Sequence, residues 1–205
     1  MKDGKIMTTI YDSLISMSYN DAILYLKEKY GTPSFDYFTE KSYTRFMAGE
    51  IKTPAKNKIT RTSEGLYCHH IKEDTWIQLS SPEKLKMFNV PFDAHKKDNL
   101  VYANLIEHAI LHVLIAKEHP TPENNMILGI GGYQNFLRPQ ILLWFTSEMK
   151  PKMPWQINCY NASFLPKAKI KELISTLDNI VIKTGITSQL NLENAAVAFA
   201  SHQIN

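Results

Sequence analysis

Four histidines and one asparagine near the middle of this 205-residue chain have types and spacings that suit metal chemistry. His69 and His70 are adjacent, and His108 and His112 lie four positions apart. Imidazole is a common ligand of divalent transition metals, and its ordinary pKa of about 6.5 also suits it to proton transfer near neutral pH. The cluster can therefore supply both a metal site and a general base, which together can hydrolyse a phosphodiester bond.

The second histidine pair requires a helix. On an α-helix, residues four apart are separated by about 40° around the axis and by one turn along it, so His108 and His112 can face one ion. Apolar residues recur at helical spacing on either side of them, from Leu105 to Leu114. The pattern predicts a helix over residues 100–117, the longest apolar-periodic segment of the chain.

The first histidine pair requires a strand. Residues 65–71 are rich in strand-forming side chains and predict the first strand, and the alternation over 75–79 predicts a second one. Neighbours in a strand point to opposite faces. One of His69 and His70 can therefore bind the metal while the other faces a substrate, and the pattern alone leaves open which does which.

Asn99 ends the polar segment that leads into the predicted helix. An asparagine amide can hydrogen-bond backbone groups and hold a loop in shape. Because this loop joins the strand that carries the base to the helix that carries the ligands, its shape sets the distance between base and metal. An error near 1 Å in such a distance can cost about 100-fold in rate.

These spacings resemble the HNH, or ββα-metal, endonuclease family over roughly residues 61–117. Family members carry a histidine doublet followed by isoleucine, which matches residues 69–71. They carry Asn-Leu nine positions before a helical histidine, which matches residues 99–100 and His108. The bacteriocin DNases of the family add a histidine one turn later, which matches His112.

The resemblance implies a role for each of the five residues. His70 would be the general base and Asn99 the residue that positions the loop, while His69, His108 and His112 would bind the metal. It further implies hydrolysis of double-stranded DNA with one divalent ion, Mg²⁺, Mn²⁺, Ni²⁺ or Zn²⁺. The stretch between the doublet and the asparagine has 28 residues, more than in compact family members, and we expect it to hold an inserted helix and loop.

A basic segment precedes the doublet. Residues 51–61 contain three lysines and one arginine and no acidic residue. Lys56, Lys58 and Arg61 are the candidates for contacts with DNA phosphates, and Arg61 is favoured because a guanidinium can hold a phosphate with two parallel hydrogen bonds. The alternative is an ordinary solvated loop.

The elements together predict an α+β protein. Residues 1–50 are expected to form a helical N-terminal segment and residues 51–119 an HNH-like ββα-metal core. Residues 120–205 are expected to form a mixed α/β extension of unknown role, with a strand over 155–160. The extension can also pack with the core as one domain.

The composition excludes some classes of protein but does not identify the function. The net charge is +3, and the two cysteines are too few for a disulfide framework or a cysteine-ligated zinc site. No apolar run is long enough to cross a membrane, and no secretory signal is recognisable at the start of the chain. We therefore expect a cytoplasmic protein with no membrane partner.

Two other functions fit the same residues. The histidines can form a structural zinc site in a non-catalytic module that binds DNA or protein. Alternatively, the chain can be a nuclease toxin or defence effector that a regulatory protein controls, and a homodimer is a further possible assembly. A zinc peptidase is disfavoured, because His108 is not followed directly by the glutamate of that motif.

Overall fold

The protein is mostly helical, with one small antiparallel sheet. A computed structural model describes residues 3–122, 126–147 and 149–204, with side chains described from residue 10 to residue 202. In chain order the elements are α1 Asp3–Ser16, α2 Tyr19–Tyr30, α3 Glu40–Met47, β1 Tyr67–His70, α4 Pro82–Met87, β2 Leu100–Ala103, α5 Leu105–Glu118, α6 Ile130–Gly132, α7 Arg138–Thr146, α8 Pro154–Ala162, α9 Lys167–Lys183 and α10 Gln189–Ile204. A π-helical turn over Tyr133–Leu137 joins α6 to α7.

The sheet pairs β1 with β2. His69 lies opposite Val101 and His70 opposite Leu100. The strand expected over 65–71 is thus confirmed, but the second strand is not the one predicted: residues 75–79 are turn and irregular chain, and β2 occupies the start of the segment predicted as helix. Every residue of β2 is buried, so its apolar run shows no alternation and merges in sequence with the helix that follows.

The central helix α5 begins at Leu105 rather than at residue 100. Asn104 marks the boundary, because its side chain accepts a hydrogen bond from the Glu107 backbone while the Glu107 carboxylate accepts one from the Asn104 backbone. The same carboxylate is fully buried and pairs with Lys29 at 2.6 Å. The start of α5 is therefore anchored to α2.

The main hydrophobic core surrounds α5. Buried residues of α1, α2, β2, α7 and α9 pack against it, from Tyr11 near the N-terminus to Leu192 in α10. The described parts of all three segments distinguished in the sequence contribute to this one core. It holds α5 rigidly, and with it His108 and His112.

A second, smaller core underlies the residues between His70 and Asn99. It includes Leu79, Leu85 and Val90 together with aromatic residues of α3 and of the segment just before α3. The inserted helix predicted for this stretch is present as the short α4. The insertion is thus a packed part of the fold.

The C-terminal third corrects the predicted strand at 155–160. Those residues lie in α8, whose first turn carries Pro154, a favourable residue at that position of a helix. Among the described residues after 120, the regular elements are helices, so the strand predicted in the extension is wrong. The α+β class is confirmed for the chain, because β1 and β2 form a small sheet beside the helices. Within the described residues, no helix combines the length and apolar character needed to cross a membrane.

Candidate metal centre

The three predicted ligands converge. His69 of β1 and His108 and His112 of α5 place one ring nitrogen each within 4.8 Å of the others. Their ring centroids are almost equidistant, at 5.0 Å from His69 to His108, 5.1 Å from His69 to His112 and 5.0 Å from His108 to His112. Three imidazoles grouped in this way can hold one ion.

Tyr19 fixes the protonation of His69. The Tyr19 hydroxyl lies 2.8 Å from the Ile71 carbonyl, to which it donates, and 2.9 Å from Nε2 of His69. Since its single hydrogen goes to the carbonyl, the hydroxyl must accept from Nε2–H. The neutral His69 ring then carries a lone pair on Nδ1, a buried atom with no hydrogen-bond partner among the described residues. A metal ion can serve as the partner of this lone pair.

The glycine segment after α5 fixes His112. Nδ1 of His112 lies 3.0 Å from the carbonyl oxygen of Gly129, so Nδ1 donates and Nε2 keeps its lone pair. Gly132 packs on the same ring so closely that a Cβ there would lie 2.3 Å from Cε1 of His112. Gly129 has a φ of 73°, and a Cβ there would lie 2.4 Å from the His112 carbonyl oxygen. Both glycines are therefore required for close contact with α5.

Glu73 stands beside this lone pair. Its Oε2 lies 3.3 Å from Nε2 of His112, and the side chain is 19% exposed. Withdrawal of the carboxyl group from water raises the pKa of Glu73 to about 8. A carboxylate oxygen facing a nitrogen lone pair requires something positive between them, either a proton on Glu73 or a metal ion. Glu73 was not foreseen from the sequence.

The three imidazoles are ready to act as neutral ligands. Burial lowers the pKa of His69 and of His108 well below the ordinary value, and neighbouring histidines lower both further. Burial likewise lowers the pKa of His112 to about 4. Nδ1 of His108, like that of His69, is buried without a partner in the described part of the chain. A metal ion bound here would not have to displace protons from the histidines at neutral pH.

His70 lies apart from this group, as strand alternation requires. Its ring packs 4.2 Å from the Tyr37 ring, and its Nε2 lies 3.3 Å from Nδ1 of His95. Burial lowers the pKa of His70 well below the ordinary value, with further contributions from His95 and Lys56. His70, His108, His112 and Glu73 all line one half-open cavity of about 510 Å³. One cavity thus reaches both the histidine cluster and the candidate base.

Asn99 lies outside the cavity and acts on the loop. Its Nδ2 donates to the Asp93 carbonyl at 2.8 Å, across the turn that carries His95. The turn is also tied to the chain before α3, because the Tyr37 backbone donates to the His95 carbonyl at 2.7 Å. Asn99 therefore holds a loop that contacts His70, a geometry compatible with the positioning role predicted for it.

The three candidate DNA contacts differ in their surroundings. Lys56 and Lys58 are exposed, and Nζ of Lys56 lies 4.9 Å from the centre of the Tyr37 ring, next to His70. Arg61 is held by paired hydrogen bonds to Glu64 and by a 2.6 Å bond to the Tyr30 carbonyl. A phosphate contact from Arg61 stays a prediction, and it would require these bonds to open.

Comparisons of the chain with protein-family models, curated proteins and solved structures found no match. Function is therefore inferred from the residues of the site and the resemblance in their spacing. Besides Glu73, the site residues not foreseen are Tyr19, His95, Gly129 and Gly132. Of these residues, only Gly129 and Gly132 lie in a recognisable sequence feature, a glycine cluster that is typical of a turn and says nothing about the orientation of a ligand.

Proposed function

We propose that this protein is a metal-dependent endonuclease of the HNH type that hydrolyses DNA phosphodiester bonds. The observation that carries the proposal is that one cavity is lined both by members of a possible metal-binding group and by a separate histidine. His69, His108 and His112 form a group that can hold an ion, and two of them, His108 and His112, line a cavity. His70, the other member of the doublet, lines the same cavity from outside that group. The order of β1, β2 and α5 along the chain also agrees with a ββα arrangement.

The metal would be held by the three imidazoles, with Glu73 next to His112. A divalent ion in this position supplies positive charge to the scissile phosphate and to the leaving oxygen. The fit is supported by the two buried Nδ1 atoms without partners and by the carboxylate that faces a lone pair. Nitrogen ligands of this kind favour Zn²⁺, Ni²⁺ or Co²⁺ over Mg²⁺.

His70 is the proposed general base. A water molecule gives a proton to its imidazole while the water oxygen bonds to phosphorus. The bond from phosphorus to the leaving sugar oxygen breaks, and that oxygen takes up a proton from solvent. The lowered pKa of His70 keeps the imidazole neutral before the reaction, as a base requires.

The exposed lysines support a polyanionic substrate. Lys56 brings a positive charge to the Tyr37 ring, which contacts His70, and Lys58 is exposed two positions further along the chain. Contacts between such lysines and phosphates would make DNA binding salt-dependent, because each contact releases counterions from the DNA.

Plasmid cleavage tests the proposal. Supercoiled DNA is incubated with the purified protein and Zn²⁺, Ni²⁺, Co²⁺, Mn²⁺ or Mg²⁺ in turn. We expect nicking that falls by about 100-fold or more in His70→Ala, where metal binding persists. His69→Ala should lose both metal and cleavage. His202→Ala, at an exposed histidine of α10, is the matched control and should behave as the parent. Absence of cleavage with every metal would reject the proposal.

Glu73 also favours one non-catalytic alternative. Three imidazoles and a carboxylate can saturate a tetrahedral zinc ion and leave no position for a substrate. The protein would then be a zinc-stabilised binding module. Chelation separates the two functions: a structural site predicts loss of fold, measured by circular dichroism, whereas a catalytic site predicts a folded protein without activity.

A further inference from the structure

The segment between His70 and Asn99 brings a fifth histidine to the site. His95 is fully buried, in contact with Phe38 and Tyr43 of the second core. Its Nδ1 lies 3.3 Å from Nε2 of His70, with the two rings nearly perpendicular at 86°. Nothing in the spacing of the predicted motif points to this contact, because His95 belongs to the insertion.

Three hydrogen bonds fix the position of the turn that carries His95. The His95 carbonyl accepts a 2.7 Å hydrogen bond from the Tyr37 backbone, and the side chain of Asn99 spans the turn to the Asp93 carbonyl. Asp36 provides a third tie, since its carboxylate accepts a 2.8 Å bond from the Lys97 backbone. A ring held in this way can fix the orientation of the ring it contacts.

The surroundings of His95 favour one direction for the hydrogen bond. Its Nε2 is buried and has no hydrogen-bond partner among the described residues. The ring lies among aromatic side chains, with the Phe38 and Tyr43 ring centroids each 4.9 Å away. Aromatic faces are electron-rich, so they favour an N–H over a lone pair beside them. These surroundings favour the hydrogen of neutral His95 on Nε2, with Nδ1 as the acceptor.

We propose that His95 is a positioning residue that accepts the Nε2 hydrogen of His70, so that the lone pair of His70 lies on Nδ1. His95 then fixes both the tautomer and the ring angle of His70. It would also stabilise the imidazolium formed when His70 takes a proton, because the Nε2–H donor keeps its acceptor. The catalytic consequence rests on the proposed nuclease function, whereas the hydrogen bond itself does not.

Nitrogen-15 NMR of the histidine side chains tests the hydrogen bond without any substrate. Spectra are recorded on the full chain loaded with Zn²⁺, which is diamagnetic, and the His70 signals are identified by their loss in His70→Gln. We expect the Nε2–H tautomer of His70 in the parent protein. The same tautomer should persist in His95→Asn, whose amide oxygen can replace Nδ1, and should be lost in His95→Phe, which keeps the ring without the acceptor.

Two results would overturn the proposal: an Nδ1–H tautomer of His70 in the parent protein, or an unchanged tautomer in His95→Phe. The parent spectrum alone decides the first, so the test survives a variant that fails to fold.

Cleavage kinetics give the catalytic readout. We expect kcat to fall on the order of 100-fold in His95→Phe, with KM and zinc affinity unchanged, and to recover most of this loss in His95→Asn. Equal losses in both variants would contradict positioning through a hydrogen bond. If the parent cleaves no DNA, the nuclease function falls, while the NMR result still decides the role of His95.

Discussion

Gly132 offers a direct test of the metal centre through a residue that is not itself a ligand. A Cβ at this position would lie 2.3 Å from Cε1, 2.5 Å from Nδ1 and 2.8 Å from Nε2 of His112. Carbon atoms in contact prefer a separation of about 3.5 Å, so Gly132→Ala must displace the imidazole by roughly 1 Å. Metal–ligand distances vary by only about 0.2 Å. If His112 binds an ion, the displaced ring cannot keep both that bond and its hydrogen bond to Gly129.

We expect Gly132→Ala to weaken metal binding by about 10- to 100-fold, or roughly 1.4 to 2.7 kcal/mol. The measurement is isothermal titration calorimetry with Zn²⁺, supported by circular dichroism to show that the variant is folded. Gly131→Ala is the matched control, because a Cβ at Gly131 would meet nothing within 4 Å. Its zinc affinity should equal that of the parent. Affinities of the two variants within about twofold of each other would refute the placement of His112 at the metal.

Three further predictions follow from the partners and the burial of the site. Tyr19→Phe removes the acceptor of the His69 Nε2–H and should weaken zinc binding by about 10-fold in calorimetry. An unchanged zinc affinity would contradict the fixing of the His69 tautomer by Tyr19. Glu73→Gln should also weaken zinc binding. In the metal-free protein at pH 9, however, it should raise the melting temperature, because a carboxyl with a pKa raised to about 8 costs stability once it ionises. An unchanged melting temperature would contradict the burial of this group. Finally, the metal-free protein should lose stability as pH falls from about 6.5 towards 4, because the unfolded chain protonates its histidines first. His95 and His112 each contribute a slope of about 1.4 kcal/mol per pH unit to the free energy of unfolding. A melting temperature that does not change over this range would show that these rings are solvated.

The sequence predicted the grouping of His69, His108 and His112 better than the bounds of the elements that carry them. The four-residue spacing of His108 and His112 depends only on helix geometry, and strand alternation separates His69 from His70, so both features could be predicted locally. The boundary between β2 and α5 could not, because a fully buried strand and a buried helix are both continuous apolar segments. Asn104 is the residue that caps α5 at this boundary.

The remainder of the site depends on contacts between distant segments. Tyr19, Glu73 and His95 reach the histidines from α2, from the turn after β1 and from the insertion. Each position depends on how these elements pack against one another. Chemical type alone gave no reason to prefer Tyr19 to the other tyrosines, or His95 to the other isolated histidines. A sequence pattern can identify groups that coordinate one ion, but the groups that orient them emerge only with the tertiary fold.

X-ray absorption spectroscopy of the zinc-loaded protein tests the central claim most directly, since it reports the number and type of ligands around the ion. We predict one ion per chain with three imidazole nitrogens at about 2.0–2.1 Å, the remaining scattering coming from oxygen. His112→Ala should lose one of the three imidazoles or fail to retain the ion. A sulfur ligand, fewer than three imidazoles in the parent protein, or no stoichiometric ion at all would contradict a metal centre built from His69, His108 and His112.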